Sequence, residues 1–363
     1  MIKAGAYVHI PYCRKKCDYC AFTSTAGAVP EEYISALIKE ITGSVYTDLV
    51  FDTVFFGGGT PSLLPEGATA RILDAIRSTL KTDLVEVTVE GNPESLTEAK
   101  LKELKSAGVN RISIGVQSLD DGCLAAIGRI HDSACAMRAL ERATRLFDNV
   151  SADVMLGLPA RKDLGNELNA LFTHPISHLS AYMLTVEDGT RLASAVKACE
   201  VTLPSEDEAV EEYDLTKAIC ALHGMHRYEV SNFSKAGKEC RHNLKYWRRE
   251  PYVGFGVAAH SQAYDRRFFN VDDTCAYIGG RTLAGTEVIP EGEAMFETVM
   301  LGLRLDEGVS RQAFKSRFGV DVCERYNGAI SRTASMLDVT DDYVKVRPEY
   351  TCVLNSILVE FMD

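Results

Sequence analysis

The chain has 363 residues, 46% of them hydrophobic and 25% charged, and it carries a formal net charge of −12. This length allows a large core, and a barrel with added segments would fit it. The negative charge disfavours nucleic acid as the main partner, since binding to a polyanion needs a basic surface, and no apolar run approaches the ~20 residues that span a bilayer.

Apolar, β-branched segments alternate with amphipathic segments from residue 5 to about residue 225. This alternation predicts repeated βα units around a parallel sheet. Pro30 and Glu31 mark the start of one helix, and Gly108 marks the end of another. Six units are predicted, but their spacing alone does not separate an open doubly wound sheet from a complete or partial barrel. The predicted strands are AYVHI, DTVFFGG, EVTVEGN, RISIGVQS, SADVMLGLP and HLSAYML.

The remainder of the chain has a different pattern. Residues 226–290 contain short β-like segments and turns, which we expect to extend the sheet. Helical patterns follow, so residues 291–363 are predicted to form a small helical domain. The predicted organisation is therefore a βα body over residues 1–225, a sheet extension over residues 226–290 and a helical domain over residues 291–363.

The cysteine content bears on the cellular compartment. The chain has eleven cysteines, an odd number without the regular spacing of a disulfide framework. Its first residues lack the long apolar segment and cleavage site of a secretory signal, which predicts a cytoplasmic protein with reduced thiols. Clustered cysteines are then better interpreted as metal ligands than as disulfide partners.

Three cysteines, Cys13, Cys17 and Cys20, form a CxxxCxxC run directly after the first predicted strand. Their spacing would also suit one face of a helix, but Pro11 precedes the run and charged residues fill its gaps. A zinc site completed by His9 is a second alternative, although structural zinc usually takes paired ligands from two separated segments. A four-iron cluster needs an external ligand on each iron, so three thiolates would leave one iron open to a substrate or cofactor. The run favours the iron–sulfur cluster and leaves the other two alternatives open.

With an aromatic residue at Tyr19, this run resembles the signature of the radical S-adenosylmethionine (SAM) enzymes. The resemblance implies a 4Fe-4S cluster held by Cys13, Cys17 and Cys20, with SAM bound to the open iron. It also implies an α/β fold, namely a partial TIM-type (β/α)6 barrel whose site lies at the C-terminal ends of the strands.

Polar or glycine residues follow several predicted strands, as a site at the strand ends requires. The second strand ends in FFGGGTPS, and glycines allow a ligand to approach the backbone closely. Singly, each of these residues suits a turn as well as a ligand. Together they resemble the coproporphyrinogen oxidase-like branch of the radical SAM enzymes. This resemblance implies contact with the cluster-bound SAM for Tyr7, Gly58 and Glu90, and contact with a second SAM for Tyr19, Gly59, Thr60, Gln117, Arg129 and Asp153.

Two features depart from the oxidases of that branch, which convert coproporphyrinogen III to protoporphyrinogen IX. The oxidases carry a further cysteine two positions after the third cluster ligand, where this chain has Phe22. They also have a long N-terminal extension, whereas here the cysteine run follows only twelve residues. Both features resemble the sister group of heme chaperones, HemW, which keeps the cluster.

The segment CRHNLKYWRRE contains an HNxxYW motif formed by His242, Asn243, Tyr246 and Trp247. This motif resembles the heme-associated motif of the HemW group. Its chemistry suits heme, because an imidazole can ligate the iron, aromatic rings can stack on the macrocycle and basic residues can pair with propionates. By composition alone, such a segment is more often a packed edge strand with a solvated face. The nearby basic residues are Arg241, Lys245, Arg248 and Arg249, and the reserve iron ligands are Cys240 and His260.

The resemblance implies a heme chaperone that binds heme, SAM and a 4Fe-4S cluster and passes heme to respiratory acceptor proteins. It further implies an electron donor such as flavodoxin or ferredoxin, and a cytoplasmic protein that can contact the inner membrane peripherally. The alternative is an oxygen-independent coproporphyrinogen III oxidase, and another porphyrin-modifying radical SAM enzyme is a third interpretation. No catalytic residue is assigned. The other cysteines, such as Cys123, Cys220 and Cys323, are predicted to be small buried hydrophobic residues.

Overall fold

The computed structural model describes residues 1–362 of the chain. Strands and helices alternate through its first half, as the sequence predicts. The strands are β1 (Ile2–Ile10), β2 (Tyr12–Cys13), β3 (Thr25–Ala26), β4 (Leu49–Gly58), β5 (Thr82–Gly91), β6 (Arg111–Gln117), β7 (Val150–Leu156), β8 (His178–Met183), β9 (His226–Glu229), β10 (Asn232–Ser234), β11 (Tyr252–Phe255), β12 (His260–Ala263), β13 (Arg266–Asn270), β14 (Leu283–Val288), β15 (Val309–Ser310), β16 (Leu337–Val339) and β17 (Tyr343–Val346).

Several helices begin or end at residues with a clear capping role. Pro30 precedes α1, Gly108 ends α3 with a φ of 96°, and Ser205 and Glu208 form a capping box at the start of α8. The α-helices are α1 (Glu31–Gly43), α2 (Ala68–Thr79), α3 (Glu98–Ala107), α4 (Asp121–Ala126), α5 (Ser133–Leu146), α6 (Leu164–Leu171), α7 (Arg191–Lys197), α8 (Glu206–Leu222), α9 (Arg241–Trp247), α10 (Thr274–Ile278), α11 (Glu291–Gly302), α12 (Arg311–Phe318), α13 (Val322–Arg325), α14 (Asn327–Arg332) and α15 (Leu354–Val359). Of the helices between residues 1 and 362, none combines the length and the hydrophobicity that crossing a bilayer requires.

A twelve-stranded mixed sheet forms the centre of the molecule. Six strands, β1 and β4 to β8, lie side by side in chain order and are all parallel, which confirms the six predicted βα units. Because these strands are parallel, all of their C-terminal ends lie at the same end of the sheet.

The sheet continues beyond this parallel centre on both sides. On one side β10 and β9 add to β8 with antiparallel pairing; on the other, β11 pairs with β1 in parallel and β12, β13 and β14 follow antiparallel. The segment 226–290 therefore extends the sheet as predicted, but it divides between the two edges.

The main core lies between one face of the sheet and the helices. In β1 the alternate residues Ala4, Ala6, Val8 and Ile10 are fully buried and belong to this core together with residues of α1. Burial of the larger of these side chains, Val8 and Ile10, contributes about 1.5–3 kcal/mol each. The intervening residues of β1 face the other side of the sheet, where the polar side chains gather.

A separate hydrophobic cluster lies within residues 295–361. This region is helical, as the sequence predicts, but it also contains the antiparallel sheet β15–β17–β16, which the sequence analysis did not identify. These strands have two to four residues each, too few for a clear alternating pattern.

Candidate cofactor-binding site

The segment after β1 forms a loop that carries the three clustered cysteines. β2 and β3 pair in parallel and close this loop, and the amide of Gly27 donates to the carbonyl oxygen of Cys13 at 2.9 Å. Residues 14–24 form bends and turns, so the interpretation of the cysteines as one face of a helix is wrong. All three thiols are free and half-buried.

His9 does not complete a zinc site in this loop. Its ring nitrogens lie 3.0 Å from the Tyr7 hydroxyl and 3.2 Å from the carbonyl oxygen of Thr23. Between residues 1 and 362, no three histidine, cysteine or acidic side chains converge as the ligands of a single metal ion do. Each thiolate of a four-iron cluster binds its own iron, so the sulfurs of such a site need not share one point.

The cysteine loop covers one side of a cavity of about 440 Å³. This volume lies within the ~300–1,000 Å³ of small-molecule sites. The opposite wall comes from the C-terminal ends of the parallel strands β4 to β8, which must curve to surround one space. The predicted site residues that line the cavity are Cys13, Cys17, Cys20, Tyr19, Gly58, Gly59, Thr60, Glu90, Gln117, Arg129 and Asp153.

Two carboxyl groups give this cavity its electrostatic character. Burial, together with the nearby Asp153, raises the pKa of Glu90 to about 8, although the amide of Gly58 donates to Glu90 and opposes the rise. Burial also raises the pKa of Asp153, which accepts hydrogen bonds from Ser113 at 3.0 Å and from Ser151 at 2.9 Å. A cationic group, such as an ammonium, would favour the ionised form of both carboxyls and would itself be favoured here.

The glycines at the end of β4 bring the backbone close to the cysteine loop. Gly58 has a φ of 107°, and a Cβ atom there would lie 2.7 Å from the ring of His9. At Gly59 a Cβ atom would lie 2.7 Å from the carbonyl oxygen of Tyr12. The amides of Gly59 and Thr60 donate to the carbonyl oxygens of Ile10 and Tyr12, both at 2.8 Å. Glycine at position 58 is explained by its positive φ and its packing against the His9 ring, and glycine at position 59 by the close approach of two backbones.

Arg129 connects the cysteine loop to the strand ends. Its guanidinium donates to the Sγ atom of Cys17 at 3.4 Å, to Oδ1 of Asn92 at 2.8 Å and to the carbonyl oxygen of Gly115 at 2.7 Å. The nearby phenol of Tyr19 and the thiol of Cys17 raise the pKa of Arg129, against the effect of its own burial. A permanent positive charge thus lies beside one cysteine sulfur.

Hydrogen bonding and burial also affect the other two thiols. The Thr60 hydroxyl donates to the Sγ atom of Cys13 at 3.4 Å, and the Asn92 amide donates to that hydroxyl at 3.2 Å. Burial raises the pKa of the Cys20 thiol, and Lys16 opposes this rise. The three sulfurs therefore differ in environment although they share one loop.

Some residues of the cavity were not found from the sequence. Asn92, Ser113 and Tyr182 also line it. Asn92 follows Glu90 by two positions at the end of β5, so its placement offered the same signal as Glu90 itself. At the end of β6, Gln117 has a φ of 66°, a left-handed conformation that is uncommon for residues other than glycine and often marks functional sites.

The HNxxYW motif lies outside this cavity. It forms the short helix α9, where the sequence suggested an edge strand as the alternative to a heme site. His242 is fully buried, and its ring nitrogens lie 2.9 Å from the Thr53 hydroxyl and 2.9 Å from the Tyr246 hydroxyl. Burial lowers the pKa of His242 to about 3, so the ring is neutral. Asn243, Tyr246 and Trp247 are half-buried.

The basic residues around the motif are mostly paired within the chain. Lys245 lies 2.8 Å from Asp52, and both side chains are buried. Arg248 pairs with Glu307 at 2.8 Å, and the buried Arg249 pairs with Glu297 at 2.8 Å. Arg241, by contrast, is exposed. Four basic residues were predicted as possible partners of heme propionates, and three of them already have carboxylate partners within the chain.

Comparison with known proteins gives consistent results along the chain. A family model described as the Radical SAM superfamily matches residues 7–164, and one described as the HemN C-terminal domain matches residues 289–345. The chain is 38% identical to the heme chaperone HemW of Bacillus subtilis over 87% of both chains. It is 34% identical to the heme chaperone HemW of Escherichia coli over 98% of this chain and 97% of that protein.

The fold is similar to that of coproporphyrinogen III oxidase (HemN) from Escherichia coli, described as a radical SAM enzyme. The TM-score is 0.85 over 99% of this chain and 90% of that chain, at 19% sequence identity. At this identity the likeness shows the fold alone, and it confirms the predicted α/β class of a radical SAM barrel.

Proposed function

We propose that this chain, which belongs to the HemW family of radical SAM proteins, is a heme chaperone that binds heme and passes it to acceptor proteins. The observation that supports the proposal is the cavity itself, where three free cysteines, two half-buried carboxyls and Arg129 surround one space at the strand ends. The family implies a 4Fe-4S cluster and SAM, and this donor set suits both: soft thiolates for iron, and carboxyls for a cationic ligand.

In this proposal Cys13, Cys17 and Cys20 hold the cluster, and the remaining iron is open to SAM. When bound, cluster and SAM together supply one-electron radical chemistry. The residues proposed for the cluster-bound SAM are Tyr7, Gly58 and Glu90, and those proposed for a second SAM are Tyr19, Gly59, Thr60, Gln117, Arg129 and Asp153. Tyr7 does not line the cavity; it lies beside Gly57, where a Cβ atom would come within 2.9 Å of the Tyr7 ring and 3.2 Å of the Glu90 carboxyl.

The chain's own residues then orient the ligands. The Arg129 guanidinium donates a hydrogen bond to the Cys17 sulfur and places a positive charge beside it. Glu90 and Asp153 offer carboxylate oxygens that would accept hydrogen bonds from an ammonium group, whose charge would favour the ionised form of both carboxyls.

Phe22 supports the chaperone over the oxidase. It occupies the position at which the oxidases have a further cysteine, it lines the cavity, and it is 70% exposed. A phenyl ring offers neither a proton nor a ligand to a substrate, but it offers apolar surface to a macrocycle.

Heme acceptors of the respiratory chain and an electron donor such as flavodoxin or ferredoxin are the proposed partners, and the cytoplasm, with peripheral contact to the inner membrane, is the proposed location. Arg14, Lys15 and Lys16 are exposed beside the cysteines and suit an acidic electron donor. The proposal assigns the HNxxYW residues His242, Asn243, Tyr246 and Trp247 to the heme function.

Two measurements test this proposal. Anaerobic reconstitution with iron and sulfide should give a brown 4Fe-4S absorption band in the wild type, no stable cluster in Cys17→Ser, and an unchanged band in Cys135→Ser, whose thiol lies on α5 away from the cavity. The reconstituted protein should bind hemin stoichiometrically and should not turn over coproporphyrinogen III under reduced, anaerobic conditions. Robust turnover would replace the chaperone with the oxidase, and absence of hemin binding would end the proposal.

A further inference from the structure

A second depression, of about 310 Å³, opens beside the cofactor cavity. Phe22 lines both spaces and forms the border between them. The side chains that matter here are Tyr7, His9, Phe22, Tyr246, Tyr252 and His260. Most of this lining is aromatic, and it combines residues of β1, the cysteine loop, α9, β11 and β12.

We propose that this depression is the heme-docking site and that His260, rather than His242, ligates the iron. The inference rests on the proposed heme function and assigns that function to a particular surface. It follows from the state of the imidazoles on this side of the sheet, from the aromatic walls and from the accessibility of the site.

Only one of the three histidines at or behind the depression has free ring nitrogens. Both nitrogens of His9 and both nitrogens of His242 have hydrogen-bond partners. His260 is exposed at the start of β12, and within residues 1–362 no hydrogen bond or ion pair involves its ring. Its ring stacks on Phe269 at 5.4 Å and 23°, which restrains the imidazole and leaves its edge available. A neutral imidazole with a free nitrogen is the usual axial ligand of heme iron.

The aromatic walls suit a porphyrin plane. Tyr246 and Tyr252 contact each other edge to face with 4.6 Å between ring centroids, and Tyr7 lies beside them. Phe22 adds a largely exposed phenyl ring at the border. Lys16 donates to the carbonyl oxygen of Phe22 at 3.1 Å, so an ammonium lies next to the site, where a propionate would pair with it.

This arrangement gives the HNxxYW motif a positioning role. The buried His242 lies 2.9 Å from the Tyr246 hydroxyl and fixes that ring at the wall of the depression. The motif would thus shape the heme surface through Tyr246, without contact between His242 and iron.

The shallowness of the depression agrees with transfer of heme. A chaperone must release its cargo, and a macrocycle held by one exposed imidazole and a few rings keeps most of its other face accessible to an acceptor. Enclosed heme pockets bury the ligand, which slows release.

Hemin titration of the reconstituted protein tests the inference, followed by absorption and electron paramagnetic resonance spectra. We compare wild type, His260→Ala and the matched control His223→Ala, which also removes an exposed imidazole stacked on a phenylalanine, here Phe172 at 4.1 Å. We expect His260→Ala to bind hemin with an affinity at least about tenfold lower than that of wild type. The variant should also lose the histidine-ligated spectrum. His223→Ala should behave as wild type, and added imidazole should restore the ligated spectrum to His260→Ala.

The outcomes separate this inference from the proposed function. If wild type binds hemin and His260→Ala binds it with the same affinity and spectrum, the chaperone proposal stands and the assignment of His260 is overturned. If a folded His242→Ala variant loses the ligated spectrum while His260→Ala keeps it, the motif histidine is the ligand. If wild type does not bind hemin, both proposals fail. His260→Met gives a further check, because a methionine ligand would keep hemin bound with a shifted spectrum.

Discussion

Nδ1 of His242 lies 2.9 Å from the hydroxyl oxygen of Thr53, and this contact joins α9 to β4 across 189 positions of sequence. The ring also stacks on Phe55 with 5.2 Å between centroids. A Cβ atom at Gly5 would come within 2.9 Å of the same ring. The imidazole is therefore packed on several sides between a short helix and two central strands. Its removal should lower the stability of the folded chain.

We expect His242→Ala to lower the free energy of unfolding by about 2–4 kcal/mol, because it leaves a cavity and two hydroxyl groups without their partner. Urea denaturation of the cofactor-free protein measures this change. The exposed His260 provides the control, since His260→Ala should change the free energy of unfolding by less than about 0.5 kcal/mol. Equal stability of His242→Ala and wild type would contradict the packing described for α9.

Gly59→Ala tests the close approach of the cysteine loop to the end of β4. The added methyl group would meet the Tyr12 carbonyl oxygen at 2.7 Å and the Tyr12 amide nitrogen at 2.8 Å, and backbone atoms cannot move aside as a flexible side chain can. We expect the free energy of unfolding to fall by about 1–3 kcal/mol and SAM binding, followed by calorimetry on the reconstituted protein, to weaken.

Gly43→Ala is the control for this change. Gly43 lies at the end of α1 with no neighbouring atom within 4 Å of its added Cβ, so the variant should be as stable as wild type or up to about 1 kcal/mol more stable. If both variants behave alike, the tight contact at Gly59 does not constrain the site.

The parallel strands and the cavity at their ends could be predicted from the sequence because both depend on local pattern. Val8 and Ile10 alternate with polar neighbours along β1, and Gly108 ends α3, as periodicity and capping indicate. Once the strands are parallel, residues such as Glu90 and Asp153 must gather at one edge whatever the loops between them do. Cys123 and Cys220 are buried, as expected for small hydrophobic residues, and Cys323 is half-buried.

Helix α9 could not be predicted in this way because its support is distant in sequence. Its N-cap residue, Cys240, makes no side-chain capping hydrogen bond. Instead, the Glu86 carboxylate on β5 accepts from the amides of Arg241 at 2.9 Å and His242 at 3.0 Å. These hydrogen bonds satisfy amides at the start of the helix that have no partner within it. The negative carboxylate also interacts favourably with the positive, N-terminal end of the helix dipole.

The same reasoning explains the basic residues of the motif. From sequence alone, Lys245 and Arg249 were free to meet propionates, but the fold brings Asp52 and Glu297 to them. Charges that are buried need partners, and only the tertiary structure reveals which carboxylates take that role.

Arg129→Gln should make the midpoint potential of the reconstituted cluster more negative, by an amount on the order of tens of millivolts. The substitution removes a positive charge and a hydrogen bond from the Cys17 sulfur, and both stabilise the reduced, more negative cluster. Redox titration followed by electron paramagnetic resonance measures the potential.

Arg191→Gln is the control for this change. It removes an equal charge from an exposed residue that pairs with Asp18 at 3.6 Å, where solvent screens the charge. The cluster potential of this variant should stay near that of wild type. An equal shift in both variants would mean that the contact with Cys17 has no special effect.

Glu90→Gln should abolish part of the pH dependence of stability in the cofactor-free protein. The pKa of Glu90 is raised to about 8 in the folded chain, so the folded state holds a proton that the unfolded state, with the ordinary carboxyl pKa of about 4.5, releases. The stability from this group is complete below pH 4.5 and is lost as the pH rises through about 8. The loss has a slope of at most ~1.4 kcal/mol per pH unit.

Urea unfolding at pH 5, 7 and 9 measures this effect. As the pH rises, the free energy of unfolding of Glu90→Gln should increase relative to that of wild type. Glu98→Gln, at an exposed glutamate whose pKa is lowered by Lys102, should show no such gain. Parallel pH profiles for wild type and Glu90→Gln would show that Glu90 is ionised in the folded protein at neutral pH.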